Sequence, residues 1–376
     1  MSELIARIGG GVAGMDPEAW DGCAGTANPF VSHAFLSALE ESESVGPRTG
    51  WQPAPVSIER RSGAIEAVLP AYLKSHSQGE YVFDHGWADA FERAGGEYYP
   101  KLQIAVPFTP VPGPRLLAAD EALAPALIRA AEAVVAEHGL SSAHATFVED
   151  AQLPLFEQAG WLIRCDAQFH WTNDGYGSFE DFLASLSSRK RKAIRKERSA
   201  ALDGIEVAHL TGADIKEAHW DAFWAFYQDT GSRKWGRPYL TRRFFSLIGE
   251  RMAERLLLVL ALRDGRPLAG ALNLVGEEAL YGRYWGTLVD LPHLHFEICY
   301  HQAIEFAIAR GLRRVEAGAQ GAHKLSRGYR PVPTWSAHFI PDPNFKAAVE
   351  RYLAGERRAV AREIEALEEL TPFRRG

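Results

Sequence analysis

The 376-residue chain, with 47% hydrophobic and 24% charged residues, is long enough for two domains of ordinary soluble composition. Its net charge of -7 excludes a general nucleic-acid coat, though not a local basic patch. Cys23, Cys165 and Cys299 are widely spaced without a CxxC pair, which excludes a disulfide framework and a cysteine-rich zinc site and suits a reducing compartment. The opening Met1-Ser-Glu-Leu-Ile-Ala-Arg-Ile lacks the order of a secretory signal. The longest apolar run, Leu256 to Leu262, is far short of the roughly 20 residues a spanning helix needs. The expectation is a cytoplasmic protein, or one resting on the inner face of the membrane.

In chain order, the first half opens with a predicted helix at Phe30–Glu41 and two strands, Pro55–Glu59 and Ala64–Leu73, joined across Arg61-Ser62-Gly63. A third strand is predicted at Tyr81–Asp84. Tyr98 to Pro114 holds five prolines and reads as loop or sheet edge. An alanine-rich helix, Glu121–His138, ends at Gly139, and a strand (His144–Val148) and a short helix (Leu153–Gln158) close the half. In the second half Ser178 caps a long predicted helix through Arg198, and another helix covers Ile215–Gln228. Three strands follow, Leu256–Leu262, Leu268–Val275 and Ala279–Gly286, the first turn supplied by Asp264-Gly265. A helix Leu294–Arg310 ends at Gly311, and the strand Arg313–Ala317 follows.

The two helix ends share their spacing: Gly139-Leu140 leads to His144-Ala145 as Gly311-Leu312 leads to Glu316-Ala317. With the hairpins at Gly63 and Gly265 in the same order, this favours a duplicated domain. We expect a first domain over 1–165 and a second over 166–376, with a C-terminal helix at 345–370. Antiparallel strands feeding a helix and then a parallel strand make an α/β sheet with one crossover unit.

Three blocks carry a family resemblance. The first runs from Gly79-Glu-Tyr-Val-Phe-Asp84-His-Gly-Trp87 to Tyr98-Tyr99-Pro100-Lys101-Leu102 and Pro107-Phe-Thr-Pro110. The second is Thr230-Gly-Ser-Arg233-Lys234-Trp235-Gly236-Arg237-Pro238. The third is Leu294-His295-Phe296-Glu297 through Glu305, then Glu316-Ala-Gly318-Ala-Gln320-Gly321-Ala-His323-Lys324-Leu325. They resemble the bacterial Fem-like (FemAB-type) N-acyltransferases, also called peptidoglycan biosynthesis/recognition proteins, of the GNAT superfamily, over nearly the whole chain. The resemblance implies an α/β fold of two tandem GNAT-like domains, each a mixed, mostly antiparallel sheet flanked by helices. It also implies transfer of an acyl or aminoacyl group to an amine, with aminoacyl-tRNA or acyl-CoA as donor and no bound cofactor.

N-acyl transfer needs a deprotonated amine, a polarised carbonyl with a stabilised oxyanion, and a proton for the leaving group. The GNAT resemblance points to Tyr284 on the fourth strand, His295 and Glu297 on the helix after it, and Glu316 on the fifth strand as catalytic candidates. Glu316 lies in a strand whose alternate residues are apolar, so it is either paired with an arginine such as Arg283 or acts as a general base. His293, Glu297 and His301 share a helical face at i, i+4, i+8, which reads as a wet face; the spacing would also suit a metal, but no second cluster supports one. Donor- and substrate-binding candidates are Arg233, Lys234 and Trp235, Arg283 and Trp285, and Gln320, His323, Lys324 and Tyr329. The loop before the central helix, Leu288-Val-Asp290-Leu-Pro292-His293, lacks the glycines of a CoA-diphosphate cradle, and Asp290 would repel a phosphate. That weakens acyl-CoA as donor. Arg189, Lys190, Arg191, Lys192, Arg195 and Lys196 form the most basic segment and suggest a polyanion, either tRNA or an anionic lipid, rather than duplex DNA. Three readings stay open: a Fem-type transferase acting on a peptidoglycan-precursor amine, an acyl-CoA-dependent enzyme acting on a small molecule or protein, and a non-catalytic muropeptide-recognition module.

Overall fold

The computed structural model of the chain describes residues 4–234, 238–318 and 321–374. Two compact units emerge, Met1–Asp166 with Pro333–Arg362, and Ala167–Val332 with Glu363–Gly376. The segment 333–362 thus returns to the first unit, and the C-terminal helix, Pro343–Glu368, gives that unit most of its length. The sequence reading had placed all of it in the second domain. The return is made by a strand pairing, which leaves no local signature.

Among the described residues nine strands begin in the first unit: β1 (Leu4–Ile8), β2 (Trp51–Pro53), β3 (Val56–Arg60), β4 (Ile65–Leu69), β5 (Ala71–Lys74), β6 (Lys101–Ile104), β7 (Leu117–Ala118), β8 (Ala143–Val148) and β9 (Leu162–Thr172). The chain passes into the second unit within β9. There follow β10 (Glu206–Thr211), β11 (Leu256–Arg263), β12 (Arg266–Val275), β13 (Ala279–Thr287), β14 (Arg314–Glu316) and β15 (Arg330–Phe339), the last leading back to the first unit.

The first unit has a small antiparallel sheet in the order β1-β3-β4-β7 and a larger one in which β15, β8, β6, β5 and β2 follow one another. The single strand predicted at Ala64–Leu73 is two, broken at Pro70. Ile65–Leu69 pairs with β3, whereas Ala71–Lys74 pairs with β2 and β6. Proline has no N–H to continue a ladder, so the chain changes sheets there. The proline-rich stretch is not all loop: β6 lies between β5 and β8, with Pro100 and Pro107 just outside it. Tyr81–Asp84 is irregular rather than a strand, with Tyr81 at φ 61, because its flanking carboxylates turn inward. Buried Lys101 donates to Glu80 and Ser77, each at 2.8 Å, and to Asp84. Tyr98 Oη donates to Asp84 at 2.7 Å and lies 3.3 Å from His144 Nε2. Burial opposes the Lys101 ammonium, but Glu80 and Asp84 outweigh it and hold its pKa above the ordinary lysine value.

In the first unit β6 runs parallel to β8 from Leu102↔Ala143 to Ile104↔Ala145, connected through the helix Ala124–Glu137. Beyond Ala145 the freed edge of β8 is filled by the unit's own proline-rich loop. Gly113 N donates to Phe147 O (3.0 Å) and Glu149 N donates to Gly113 O (3.1 Å). The fully buried Arg115 guanidinium seals the loop by donating to the carbonyls of Thr146 (2.8 Å), Val111 (2.9 Å) and Pro114 (3.0 Å).

In the second unit β10 to β13 form an antiparallel run, β14 joins β13 in parallel, and β9 pairs antiparallel with β14. Leu256–Ala261 of β11 are all buried, as befits a strand covered on both faces. The helix predicted from Ser178 through Arg198 is two helices, Phe179–Ser185 and Ser188–Ala201. Ser178 does cap the first, its Oγ accepting from Asp181 N at 3.1 Å. Leu186 is extended and fully buried, and Ser187 N donates to Pro372 O at 2.9 Å, so a tertiary contact breaks the helix. Helix Glu217–Lys234 approaches β13 so closely at Gly286 that a Cβ would sit 2.3 Å from the Phe226 carbonyl carbon.

Arg115→Met removes a buried cation together with the donors to three carbonyls. We expect a loss of about 3 kcal/mol in urea unfolding followed by circular dichroism. A loss below about 1 kcal/mol would mean that water or a neighbour replaces the seal.

Candidate active site in the second unit

The parallel ladder between β13 and β14 is only three pairs long, ending at Tyr281↔Glu316. β13 continues to Thr287 against β12, while the chain after Glu316 turns away through Gly318 at φ 77. A side chain at that φ would be strained, so glycine suits the bend. Among the described residues β14 does not pair with β13 beyond Tyr281, and the divergence of the two strands there forms a notch in the ladder. A bulge lies beside it: Leu272 pairs with Tyr284 and Asn273 with Gly282, leaving Arg283 as the extra residue.

Lys324, from the 3-10 turn Ala322–Arg327, reaches back into this bend and donates from Nζ to Gly318 O at 2.7 Å. Burial pushes its pKa down to about 7, with Cys299 opposing and Arg283 reinforcing the shift. His170 of β9 stands opposite Glu316 in the ladder. Its Nε2 is 3.3 Å from Gln168 Oε1 and 3.8 Å from Glu316 Oε2. Burial lowers the His170 pKa; Glu316 opposes this, and Arg314 and Lys324 add to it, so the neutral ring is favoured. Glu316 is buried, and its Oε1 accepts from Arg314 Nε at 2.8 Å, whereas among the described residues no donor reaches Oε2. The partner suggested by the sequence was Arg283; the one observed is Arg314, two residues back on the same face of the strand.

A cluster of rings stands next to these groups. Trp285 and His295 have centroids 5.2 Å apart, and His295 lies 5.4 Å from Tyr300 and 6.3 Å from His323. Tyr300 Oη is 3.0 Å from His323 Nε2, Tyr329 packs at 5.6 Å from Tyr300, and the Arg327 guanidinium sits 3.4 Å from the Phe296 centroid. Trp285, His295, His323 and Tyr329, which are scattered in the sequence, thus lie in linked ring contacts through Tyr300; Lys324 follows His323 in the chain and feels the charge of Arg283, and His170 connects Lys324 electrostatically with Glu316.

Other expected residues lie elsewhere. Tyr284 packs on Tyr227 of helix Glu217–Lys234, with ring centroids 5.7 Å apart. Glu297 and His301 do not form a wet helical face. The run 294–309 contains a π-helical turn, Glu297–His301, which resets the spacing and buries both side chains. Glu297 accepts from Arg198 Nη2 (2.9 Å) and Nε (3.0 Å) and from Gln302 Nε2 (2.7 Å), while Arg198 also binds Glu305 at 2.8 Å. That is a compensated buried ion pair, and among the described residues it shares no partner with Glu316. Arg233 is exposed, pairs with Asp229 and donates to Thr287 O at 3.0 Å, at the far end of β13. Trp235, Gln320 and the Lys234 side chain lie outside the described residues.

The basic helix Ser188–Ala201 turns Ile194 and Ala201 inward and exposes Arg189, Lys192, Arg195 and Lys196, with Lys190 and Arg191 half-buried. Arg195 pairs with Glu180 at 2.5 Å. Sequence reasoning missed His170, because β9 was not recognised as a strand. It also missed Arg314, although an arginine two residues from a strand carboxylate is a readable signal.

The sequence matches the FemAB_like family, described as peptidoglycan biosynthesis/recognition, over residues 11–375. The chain belongs to the FemAB-like family. Among solved structures, this FemAB-like chain resembles FemX at 13% identity and TM-score 0.55, covering 93% of this chain and 100% of that one. L-PGS from Bacillus licheniformis shares 10% identity at TM-score 0.51, with coverages of 88% and 98%. The C-terminal domain of a putative lysylphosphatidylglycerol synthetase from Agrobacterium fabrum shares 11% identity at TM-score 0.54, with coverages of 89% and 96%. At such identities these likenesses speak to the fold alone, which is α/β with mixed, mostly antiparallel pairing flanked by helices. No curated protein matches the sequence. Family membership ties this FemAB-like protein to peptidoglycan biosynthesis/recognition. Among the described residues no helix is long and apolar enough to cross a membrane.

Because Glu297 is one member of a buried pair, Glu297→Gln should cost about 3 kcal/mol of unfolding free energy or more. The fraction that stays folded should keep its turnover per molecule. Turnover lost without any loss of stability would return Glu297 to the chemistry.

Proposed function

We propose that the FemAB-like chain carries one transfer site, at the β13–β14 notch of the second unit, where an acyl or aminoacyl ester meets a primary amine. The observation that carries this reading is Lys324, a buried amine with a pKa of about 7 held at the open end of a strand pair. The corresponding edge of the first unit is filled by Gly113 and Arg115 of its own chain, which supports a single site.

In this reading the donor carbonyl enters the notch beside β13, and the acceptor nitrogen attacks its carbon. A C–N bond forms as the carbonyl π pair moves to oxygen, and the Lys324 ammonium donates a hydrogen bond to that oxyanion. Neutral His170, beside Glu316, takes the proton released from the amine nitrogen. The oxyanion pair then re-forms the carbonyl and expels the ester oxygen, which receives that proton. Trp285, His295 and His323 offer ring faces for a flat or apolar part of the donor. Tyr284, which packs on Tyr227, is left out of the chemistry.

The loop Leu288–His293 contains no glycine and carries exposed Asp290, which supports a donor without a CoA diphosphate. The exposed cations of helix Ser188–Ala201 support a tRNA-borne ester, since a nucleic-acid backbone presents the polyanion they suit. The acceptor is proposed to be an amine of a peptidoglycan precursor, in keeping with the family.

With alanyl-tRNA or acetyl-CoA as donor and a lysine-containing peptidoglycan pentapeptide as acceptor, Lys324→Met should lower kcat by about 10²–10³ while leaving binding nearly unchanged. Only the protonated lysine donates to the oxyanion, so wild-type kcat should fall as pH rises through about 7. Lys324→Arg, charged at every accessible pH, should lose that alkaline limb. Full activity in Lys324→Met would place the oxyanion donor elsewhere, and no turnover by the wild type with either donor would favour a recognition module instead. A second measurement addresses the donor: the log affinity for alanyl-tRNA should fall linearly with log salt, and Lys192→Glu with Lys196→Glu should reduce the slope by about 2. A slope near zero in the wild type rules out tRNA on this helix.

A further inference from the structure

The first unit contains a cleft of about 680 Å³ that the transfer chemistry does not use. It lies between the helix His85–Arg93 and the start of the C-terminal helix. Its walls are Phe83, Trp87, Phe91, Phe345, Val349 and Tyr352. Phe83 is 59% exposed and Tyr352 is 52% exposed, so two large rings stand at its rim with their faces in water. Such exposure of aromatic surface is costly unless something covers it.

The cleft is kept from collapsing by what lies behind its walls. Helix His85–Arg93 starts at Asp84, which the buried Lys101 and Tyr98 hold in place. Trp87 is braced edge-on by His338 at 4.9 Å and by the Arg164 guanidinium at 5.2 Å. On the opposite side the C-terminal helix is tied down by the Arg164–Glu356 pair at 2.8 Å. Phe91 and Phe345 meet at the floor, with centroids 4.5 Å apart. Between these anchors the lining narrows to small residues, Ala90, Ala94, Gly95, Gly96 and Ala348.

The lining also says what the cleft can hold. Asp342 is its one charged group, and Asp342 Oδ1 already accepts from Phe345 N at 2.7 Å. No cation lines it to receive a phosphate or carboxylate. Beside it the lining offers the Asn344 amide, the Trp87 indole N–H and the Tyr352 hydroxyl, the last already donating to Glu356 at 3.0 Å, which is few partners for the several hydroxyls of a sugar. The volume lies within the range of small-molecule sites, about 300–1,000 Å³. We propose that this cleft binds the uncharged hydrocarbon chain of an amphiphile, with its polar head left outside in water. The site is separate from the Lys324 notch, so its failure would leave the transfer reading standing.

Octyl, decyl and dodecyl maltoside, each below its micelle concentration, should bind the full-length protein one to one in titration calorimetry. Affinity should rise about fourfold per added methylene, while maltose alone should not bind. Ala348→Phe and, separately, Ala90→Leu fill the cleft and should each weaken dodecyl maltoside binding at least tenfold. Circular dichroism and Lys324-dependent transfer report that either variant is folded. Three results would each overturn the assignment: maltose binding as well as its alkyl derivatives, affinity independent of chain length, or folded cleft-filled variants that bind like the wild type. Co-sedimentation with phosphatidylcholine vesicles that persists in Ala348→Phe, without binding of the monomeric detergents, would assign this face to a membrane surface and overturn it too.

Discussion

Everything proposed for the second unit depends on a strand pair that stops early. β13 and β14 share three residues of parallel ladder and then separate, and a separation inside a sheet leaves backbone groups that must find other partners. Here the chain turns at Gly318, and the carbonyl of that residue is taken by a lysine side chain instead of a strand. The first unit meets the same constraint differently. Its β6–β8 ladder is also three pairs long, and Phe147, two residues past the last pair, is again left-handed at φ 55. There the carbonyl goes to Gly113 N, and an arginine closes the gap. One half is occupied by its own chain, and the other keeps a titratable amine at the opening.

Compensation of charge separates structural from reactive groups in this molecule. Lys101 and Lys324 are both almost wholly buried, yet burial has opposite net outcomes. Two carboxylates and a hydroxyl surround Lys101, and the ammonium is stabilised. Lys324 has a carbonyl as its hydrogen-bond acceptor and Arg283 nearby, and its charge is held only weakly. The same comparison separates the two glutamates singled out from the sequence. Glu297 is saturated by Arg198 and Gln302, while Glu316 keeps one carboxylate oxygen without a donor among the described residues. A group whose charge is fully matched stabilises a fold, and one left partly unmatched is available to a substrate.

The local elements were legible where the code is local. The Ser178 cap, the three strands from Leu256 to Gly286 and the glycine-ended helices at Gly139 and Gly311 follow from periodicity and turn chemistry, and all are present. Errors arose where a distant contact decided the outcome. Leu186 breaks a helix because Pro372 and Phe373 dock on it. Tyr81–Asp84 gives up extended pairing because Lys101 draws its neighbouring carboxylates inward. Glu297 and His301 look solvent-facing at a spacing of four, and a π turn changes that spacing.

By itself the sequence determined the α/β class and the FemAB-like membership, because these are written in periodicity and in contiguous motifs. Only the tertiary structure decided that Lys324 is buried against a backbone carbonyl, that Glu297 is already paired, and that His170 stands across from Glu316. Those properties depend on the distance between atoms far apart in the chain and on the water excluded from between them. Neither is encoded in any single stretch of residues.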